Sequence, residues 1–424
     1  MTMLTASDVE GAGPRLVLNK GDRLTPLARD RAKELGVELV YSDSAPAGAG
    51  SAATPAASVR SITPAATAQV PSEPARGTPA PSGGSRFALP PSGALYRRNA
   101  LGPGAAANGA GLGHRPKAAV VGAGHVGAMT ALRLAESDLF ASVALVDVVP
   151  GLAAGLALDM WHGAGLYGFS TTIEGSDDLA ALSGAEYIVI TAGRPRQPGM
   201  SRTDLTAVNA AIIETVCMAI RIHAPESTVV VVTNPLEEMT HLAANYTGFP
   251  DERVIGMAGV LDSARFCSLV GLTGRAKPQE VRALALGSHG PEMVIPLSQA
   301  FVRDKPIESV LDAETLKGLV ERTRESGGEV VKLLQKGSAY FSPAESAVTM
   351  VRAMVRDSGE VLPVCVRTRT AYGLRDTRVG LPVRLGRHGV KEIVNLPLRR
   401  DEQHALHEAA ARIAARIDEL GKLA

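Results

Sequence analysis

Four stretches of the chain, remote from one another, each carry a polar side chain that could take part in chemistry on a small acid. His289 closes the run VRALALGS, and an imidazole is the side chain best suited to give or take a proton near neutral pH. Asp262 and Arg265 stand three residues apart in GVLDSARF, on one face if the segment is helical. TAGRPRQPGMSRTDL sets Arg196 and Arg202 on a loop with Pro195, Pro198 and Gly199, directly after a strand-like run, a composition suited to a lid. Asn234, in VTNPLEEMT, also follows such a run. Together these are the residue types that reduction of a 2-keto acid needs.

A fifth stretch offers a place for a dinucleotide. Lys117 to Val121 read as a short buried strand, GAGHVG follows at Gly122 to Gly127, and Ala128 to Leu134 have helical spacing. Gly122 suits the tight turn, Gly124 lets the backbone approach a pyrophosphate, and Gly127 lets the helix pack closely on the strand. The helix N-terminus then presents free N–H groups to the phosphates. A second strand, Val143 to Val146, ends in Asp147, about 20 residues beyond Gly127, where an acid holds the ribose hydroxyls. A carboxylate there repels a 2′-phosphate, so the expected cofactor is NAD rather than NADP.

The elements needed to position these residues can be read in outline. YIVIT (187–191) and TVVVV (228–232) are near-continuous β-branched runs, as strands covered on both faces require, and residues 210–222 between them are helical in pattern. Parallel strands joined by helices predict an α/β fold, a Rossmann doubly wound sheet with its ligands at the carboxyl ends of the strands. Gly122, Asp147, Thr191 to Gly193 and Thr233 to Pro235 all fall at such ends. Beyond Leu261 the pattern mixes strand-like VRALAL and VRLG with helices around 311–336, 344–355 and 401–420, which predicts an α+β second domain. The expected division is an NAD-binding domain at 116–262 and a catalytic domain at 263–424.

The residues from Lys117 onward closely resemble the lactate/malate dehydrogenase family, most nearly its lactate-dehydrogenase-like malate dehydrogenases. KGSAYFSPAESAVTMV (336–351), VGLPVRLGRHGV (379–390) and the closing helix extend the match. The resemblance implies hydride transfer between nicotinamide and keto carbon, with His289 supplying the proton and Asp262 fixing its tautomer and favouring the imidazolium. It implies that Arg265 grips the substrate carboxylate by a bidentate fork. Arg202 would polarise the carbonyl and stabilise the developing alkoxide, Asn234 would bond substrate and help seat the nicotinamide, and Asn209 would join Gly122, Gly124, Gly127 and Asp147 at the cofactor. Arg196 resembles the lid arginine that grips a second carboxylate, so malate and oxaloacetate are expected ahead of lactate and pyruvate. One departure stands out: Ser288, His289, Gly290, Pro291 and Glu292 replace the usual run, in which Gly precedes the histidine and Gly–Asp follows it. Proline fixes its own φ and restricts Gly290, so the histidine loop is expected to sit differently. Alternatives that remain open are a lactate or other 2-hydroxy acid dehydrogenase and, from another class, a catalytically idle NAD-binding scaffold.

Composition narrows the partners. With 424 residues, 45% hydrophobic and 21% charged, the chain is ordinarily globular, and a net charge of +1 without a long basic run suggests neither nucleic acid nor a membrane surface. Cys217, Cys267 and Cys365 are odd in number and lack metal-ligand spacing, so no metal site is expected and reduced thiols of a cytoplasmic protein are. The N-terminus has no apolar leader core and no uninterrupted apolar run reaches spanning length. A homodimer or homotetramer is expected from the family.

Before the dehydrogenase-like body, residues 14–41 read as strand, helix and strand within a small N-terminal module (1–43), with Leu24, Ala28, Ala32 and Leu35 on one helix face. The stretch resembles a short segment near the start of bacterial microcompartment-associated proteins, implying a shell or cargo partner; a small docking element of no special address is the alternative. Residues 44–115 change to Ala, Pro, Gly and Ser, which predicts a disordered linker. A flexible coil of about 70 residues reaches roughly 45 Å root mean square.

Overall fold

The computed structural model describes residues 114–195, 202–290, 292–335 and 337–420, with 3–4, 9, 13–19, 23–24, 32 and 35–42 of the N-terminal part. The chain divides into two compact units, Met1–Ser85 and Arg86–Ala424. The expected linker lies outside the described residues except for His114 and Arg115.

In the N-terminal unit, Arg15–Asn19 pairs in parallel with Glu38–Ser42, and Leu18 is buried with Val9 and Ala32. Two expectations change. Leu24 lies in a two-residue strand paired with Leu4 rather than on the helix face, and Leu35 is half exposed, because the described core is filled by Val9 and Leu18 from outside the helix.

The larger unit begins with β1 (Lys117–Val121), α1 (His125–Glu136), β2 (Ser142–Val146), α2 (Leu152–His162), β3 (Thr172–Ser176), β4 (Ala185–Ile190), α3 (Arg202–His223), β5 (Thr228–Val231), α4 (Leu236–Thr247) and β6 (Val254–Gly256). These six strands are parallel, in the order β3-β2-β1-β4-β5-β6 of a dinucleotide-binding sheet. Successive side chains alternate between two cores. Ala118, Val120, Tyr187, Val189 and Val230 pack on one face; Ala119, Val121, Ile188, Ile190, Val229 and Val231 pack on the other. This is why the runs contain no polar alternation. Helix α3 is long and apolar enough to cross a membrane by composition, yet Ile213, Val216, Cys217 and Ile220, at helical spacing, enter the second core.

The second half continues the same sheet. It contains α5 (Gly259–Leu272), β7 (Leu286–Gly287), β8 (Met293–Val294), α6 (Ala313–Leu334), α7 (Phe341–Val355), β9 (Val361–Arg367), β10 (Arg378–Gly386), β11 (Gly389–Ile393) and α8 (Arg400–Leu420). Strand β9 pairs antiparallel with β6, and the order runs on through β10, β7 and β8, with β11 on β10, to make eleven strands. The boundary expected at 262 therefore needs correcting. It would cut α5, which starts at Gly259, and no break in the sheet accompanies it. VRALAL is likewise not one strand. Val281–Arg282 joins a small three-stranded sheet, whereas Leu286–Gly287 joins the main one, a choice that apolar periodicity does not encode.

Candidate active site

At the carboxyl edge of the sheet the glycine loop is fixed by close contacts. Gly122 has φ +102°, and a Cβ there would stand 2.6 Å from the main-chain nitrogen of Ala192. A Cβ at Gly127 would lie 1.7 Å from the Gly122 carbonyl, so only glycine lets α1 come this close to the strand end. Gly124 differs: a Cβ there would meet nothing within 4 Å. Open space thus lies before the α1 N-terminus, which fits a pyrophosphate. Asp147 accepts from Ala123 N at 2.6 Å through Oδ2 and from Val149 N at 3.0 Å through Oδ1, holding the loop. Each carboxylate oxygen keeps a further acceptor site for a ribose hydroxyl.

Asn209 is held by backbone of two loops. Its Oδ1 accepts from Arg194 N at 2.8 Å, and its Nδ2 donates to Arg194 O at 3.2 Å and to Asn234 O at 2.7 Å. Both amide donors are engaged by backbone, and the residue is 1% exposed. Asn209 therefore braces the loops after β4 and β5. Thr191 Oγ1 ties the β4 end to the glycine loop, donating toward the Val121 and Gly122 carbonyls at 3.1 and 3.0 Å. The Asn234 side chain is exposed at the β5 end.

From Asn234 the chain leads straight to the proton-transfer group. Glu237, in the first turn of α4, accepts the main-chain N–H of His289 at 2.6 Å. The His289 Nδ1 lies 2.8 Å from Asp262 Oδ2, and Arg265 Nη1 lies 3.1 Å from Asp262 Oδ1. Asp262 and Arg265 do share one helix face, and Asp262 is 1% exposed. Helix α5 is held there by Gly259, where a Cβ would meet the Ala285 carbonyl at 2.2 Å. Ser263 Oγ also accepts from Ala285 N at 2.8 Å, on the strand segment that leads into His289. With Nδ1–H engaged by Asp262, Nε2 is the ring atom left to exchange a proton with substrate.

Electrostatics favour a protonated ring. Burial pushes His289 down, but the charge of Asp262, its hydrogen bond and the charge of Glu237 together raise it above its ordinary value, against Arg265. Burial pushes the Glu237 carboxyl up, with Glu238 adding to this, while the His289 N–H and ring draw it back.

Sequence reasoning missed Glu237. Acids in a first helical turn are usually read as partners of the helix dipole, and the EE pair gave no sign of burial. Arg202 begins α3, but its side chain is outside the described residues, as are Arg196 and Pro291. Among the described residues no cluster of three or more potential ligands could hold a metal.

Known proteins share this plan. The chain matches the lactate/malate dehydrogenase NAD-binding domain over residues 116–256 and the lactate/malate dehydrogenase alpha/beta C-terminal domain over residues 259–423. It is 42% identical over 304 residues to a malate dehydrogenase of Nostoc punctiforme, covering 72% of this chain and 92% of that one. Among solved structures, the apo malate dehydrogenase of Picrophilus torridus superposes with a TM-score of 0.70 at 35% identity, covering 73% of this chain and 98% of that one. The malate dehydrogenase of Plasmodium falciparum in complex with NADH gives 0.67 at 28% identity, over 72% and 99%. The strand order, the glycine loop and the His289–Asp262–Arg265 group thus sit in a chain that belongs to the lactate/malate dehydrogenase family.

Proposed function

We propose that this chain interconverts malate and oxaloacetate with NAD as the hydride carrier. One structural observation carries the reading: hydrogen bonds, joined by the short chain segments Thr191–Arg194 and Asn234–Glu237, link the glycine loop through Asn209 to the His289–Asp262 pair. The malate dehydrogenases matched above support the choice of substrate.

Bound NAD supplies or accepts the hydride; the rest is the work of this chain. Gly122, Gly124, Gly127 and Asp147 would hold the dinucleotide. Asp262 keeps the His289 proton on Nδ1, so Nε2 gives its proton to the keto oxygen in reduction and takes it from the hydroxyl in oxidation. Arg265 gives one N–H to Asp262, and its remaining donors form the fork for the substrate's 1-carboxylate. Arg202 acts on the carbonyl oxygen. Arg196 is assigned to the second carboxylate by its resemblance to the family's lid arginine, so pyruvate would leave a guanidinium unpaired.

The enzyme works as a homo-oligomer in the cytoplasm. In support, Leu152, Leu158 and Trp161 of α2, with Val148, Val149, Leu166 and Tyr167 near it in the chain, are exposed apolar side chains of the kind a second copy would cover. The N-terminal module brings the body to a microcompartment shell or its cargo. Unchanged co-sedimentation with shells after deletion of residues 1–115 would refute that part.

Steady-state NADH oxidation with oxaloacetate and with pyruvate tests the assignment. A preference for oxaloacetate of about 10² or more is expected, collapsing in Arg196→Gln, because stranding a charge costs on the order of 3 to 5 kcal/mol. Preference for pyruvate by the parent enzyme would overturn it.

A further inference from the structure

Helix α8 reaches the histidine loop through one side chain. Arg416 donates from Nε to Glu238 Oε1 at 2.9 Å. Its terminal nitrogens lie 3.5 Å from Ser288 Oγ and 3.6 Å from Glu292 Oε1. Arg412, one turn earlier, lies 4.0 Å from the same Glu292 oxygen. Ser288 and Glu292 flank His289, and Glu238 adjoins Glu237, the residue that holds the His289 main-chain N–H. One guanidinium therefore touches α4 and both sides of the histidine.

The arrangement fits arginine and the unusual residues around it. A planar fork with several donors can serve three acceptors at once, which a lysine ammonium on a flexible stem does less rigidly. Glu238 is 3% exposed and Arg416 17%, so the bond between them is screened little by water. The cation also offsets the repulsion of two adjacent buried acids, Glu237 and Glu238. Ser288 stands where the family's run has glycine, and it lies within reach of Arg416, as does Glu292 beside the departing Pro291.

We propose that Arg416 is a positioning residue for the reaction: it fastens both flanks of the His289 loop to α4 and so sets where the imidazole stands against the substrate carbonyl. The proposal rests on the reading of His289 as the proton-transfer residue. Its effect belongs in kcat. The carboxylate grip of Arg265 and the dinucleotide loop are separate elements, so binding of oxaloacetate and NADH is left largely as it was.

The test uses the full chain with Arg416→Met, Arg416→Lys and the pair Ser288→Ala with Glu292→Gln, which cuts the loop side of the brace and leaves Arg416 bonded to Glu238. Misplacement by about 1 Å can cost on the order of 10²-fold, so R416M is expected to lose 10- to 100-fold in kcat with oxaloacetate. The KM for oxaloacetate and the NADH dissociation constant, read by nucleotide fluorescence, should stay near the parent values. The isotope effect on kcat with NADH deuterated at the transferred hydrogen should rise, because chemistry becomes slower than release. Lysine should restore part of the loss, and the loop pair should show the same signs even if R416M does not fold. Parent kcat in the loop pair overturns the proposal, and so does a loss confined to binding with no rise in the isotope effect. His289→Ala separates the two readings: if it keeps turnover, the proton-transfer assignment fails; if it is inactive while the brace variants run at the parent rate, only the brace is refuted.

Discussion

Asp262 and His289 share a hydrogen bond of 2.8 Å, Oδ2 to Nδ1, and 81% of the histidine side chain is withdrawn from solvent, leaving 19% exposed. A carboxylate so placed stabilises the imidazolium against the cost of burial. The same linkage affects stability: a raised histidine contributes below its unfolded value of about 6.5, and the contribution is lost as pH rises through the folded value.

The pair predicts opposite pH limbs for the two directions. Reduction of oxaloacetate needs the ring protonated, so kcat/KM should be flat in acid and fall as pH rises through a value above 6.5. Oxidation of malate should rise over the same range. Burial is the largest single influence on His289, and Asp262→Asn removes the charge and charged hydrogen bond that outweigh it, so both limbs should move to lower pH and kcat should fall by about 10² to 10⁴. Limbs that stay put in D262N, in pH–rate profiles run in both directions, would remove Asp262 from the relay.

Two glycines of one loop should fail in different ways. Gly127→Ala drives a methyl into the Gly122 carbonyl, so overpacking should cost about 1–3 kcal/mol in denaturant unfolding. At Gly124 a Cβ meets no protein atom within 4 Å, and Gly124→Val should unfold like the parent while losing NADH binding. Parent NADH affinity in G124V would show that the pyrophosphate lies elsewhere.

Arg265→Lys keeps the charge and loses the fork. Oxaloacetate KM should rise about 10- to 100-fold, the worth of roughly 1.5–3 kcal/mol for a charged hydrogen bond, with NADH affinity held. An unchanged KM would place the substrate carboxylate on another cation.

The apolar surface around α2 gives a prediction about assembly. Leu158→Glu puts a charge at an exposed apolar position one helical turn from Trp161 and should yield monomers in sedimentation velocity, whereas the parent is expected to sediment as a dimer or larger. If both sediment alike, association does not use this face.

What the sequence revealed followed from which forces are local. Runs such as Tyr187–Ile190 and Val229–Val231 had to be strands because both faces are covered, and glycine spacing identified the turn before α1. His289, Asp262 and Arg265 could be grouped through a family pattern, although Asp262 and His289 are joined only by the fold. Less local facts were out of reach. VRALAL gives no sign of which sheet takes each end, the spacing around Asn209 does not show that backbone engages its amide donors, and Leu24 looked helical until Leu4 paired with it. Glu237 and Arg416 were hardest, since acids at a helix start and an arginine near the end of a closing helix ordinarily face water.

The antiparallel pairing of β6 with β9 has a mechanical meaning. It makes the cofactor half and the catalytic half a single plate, with α7 of the second half packed on α1 of the first. A hinge between them would have to tear a sheet. Any closure around a bound substrate is thereby left to loops at the plate's edge, a motion of a few residues rather than of half an enzyme.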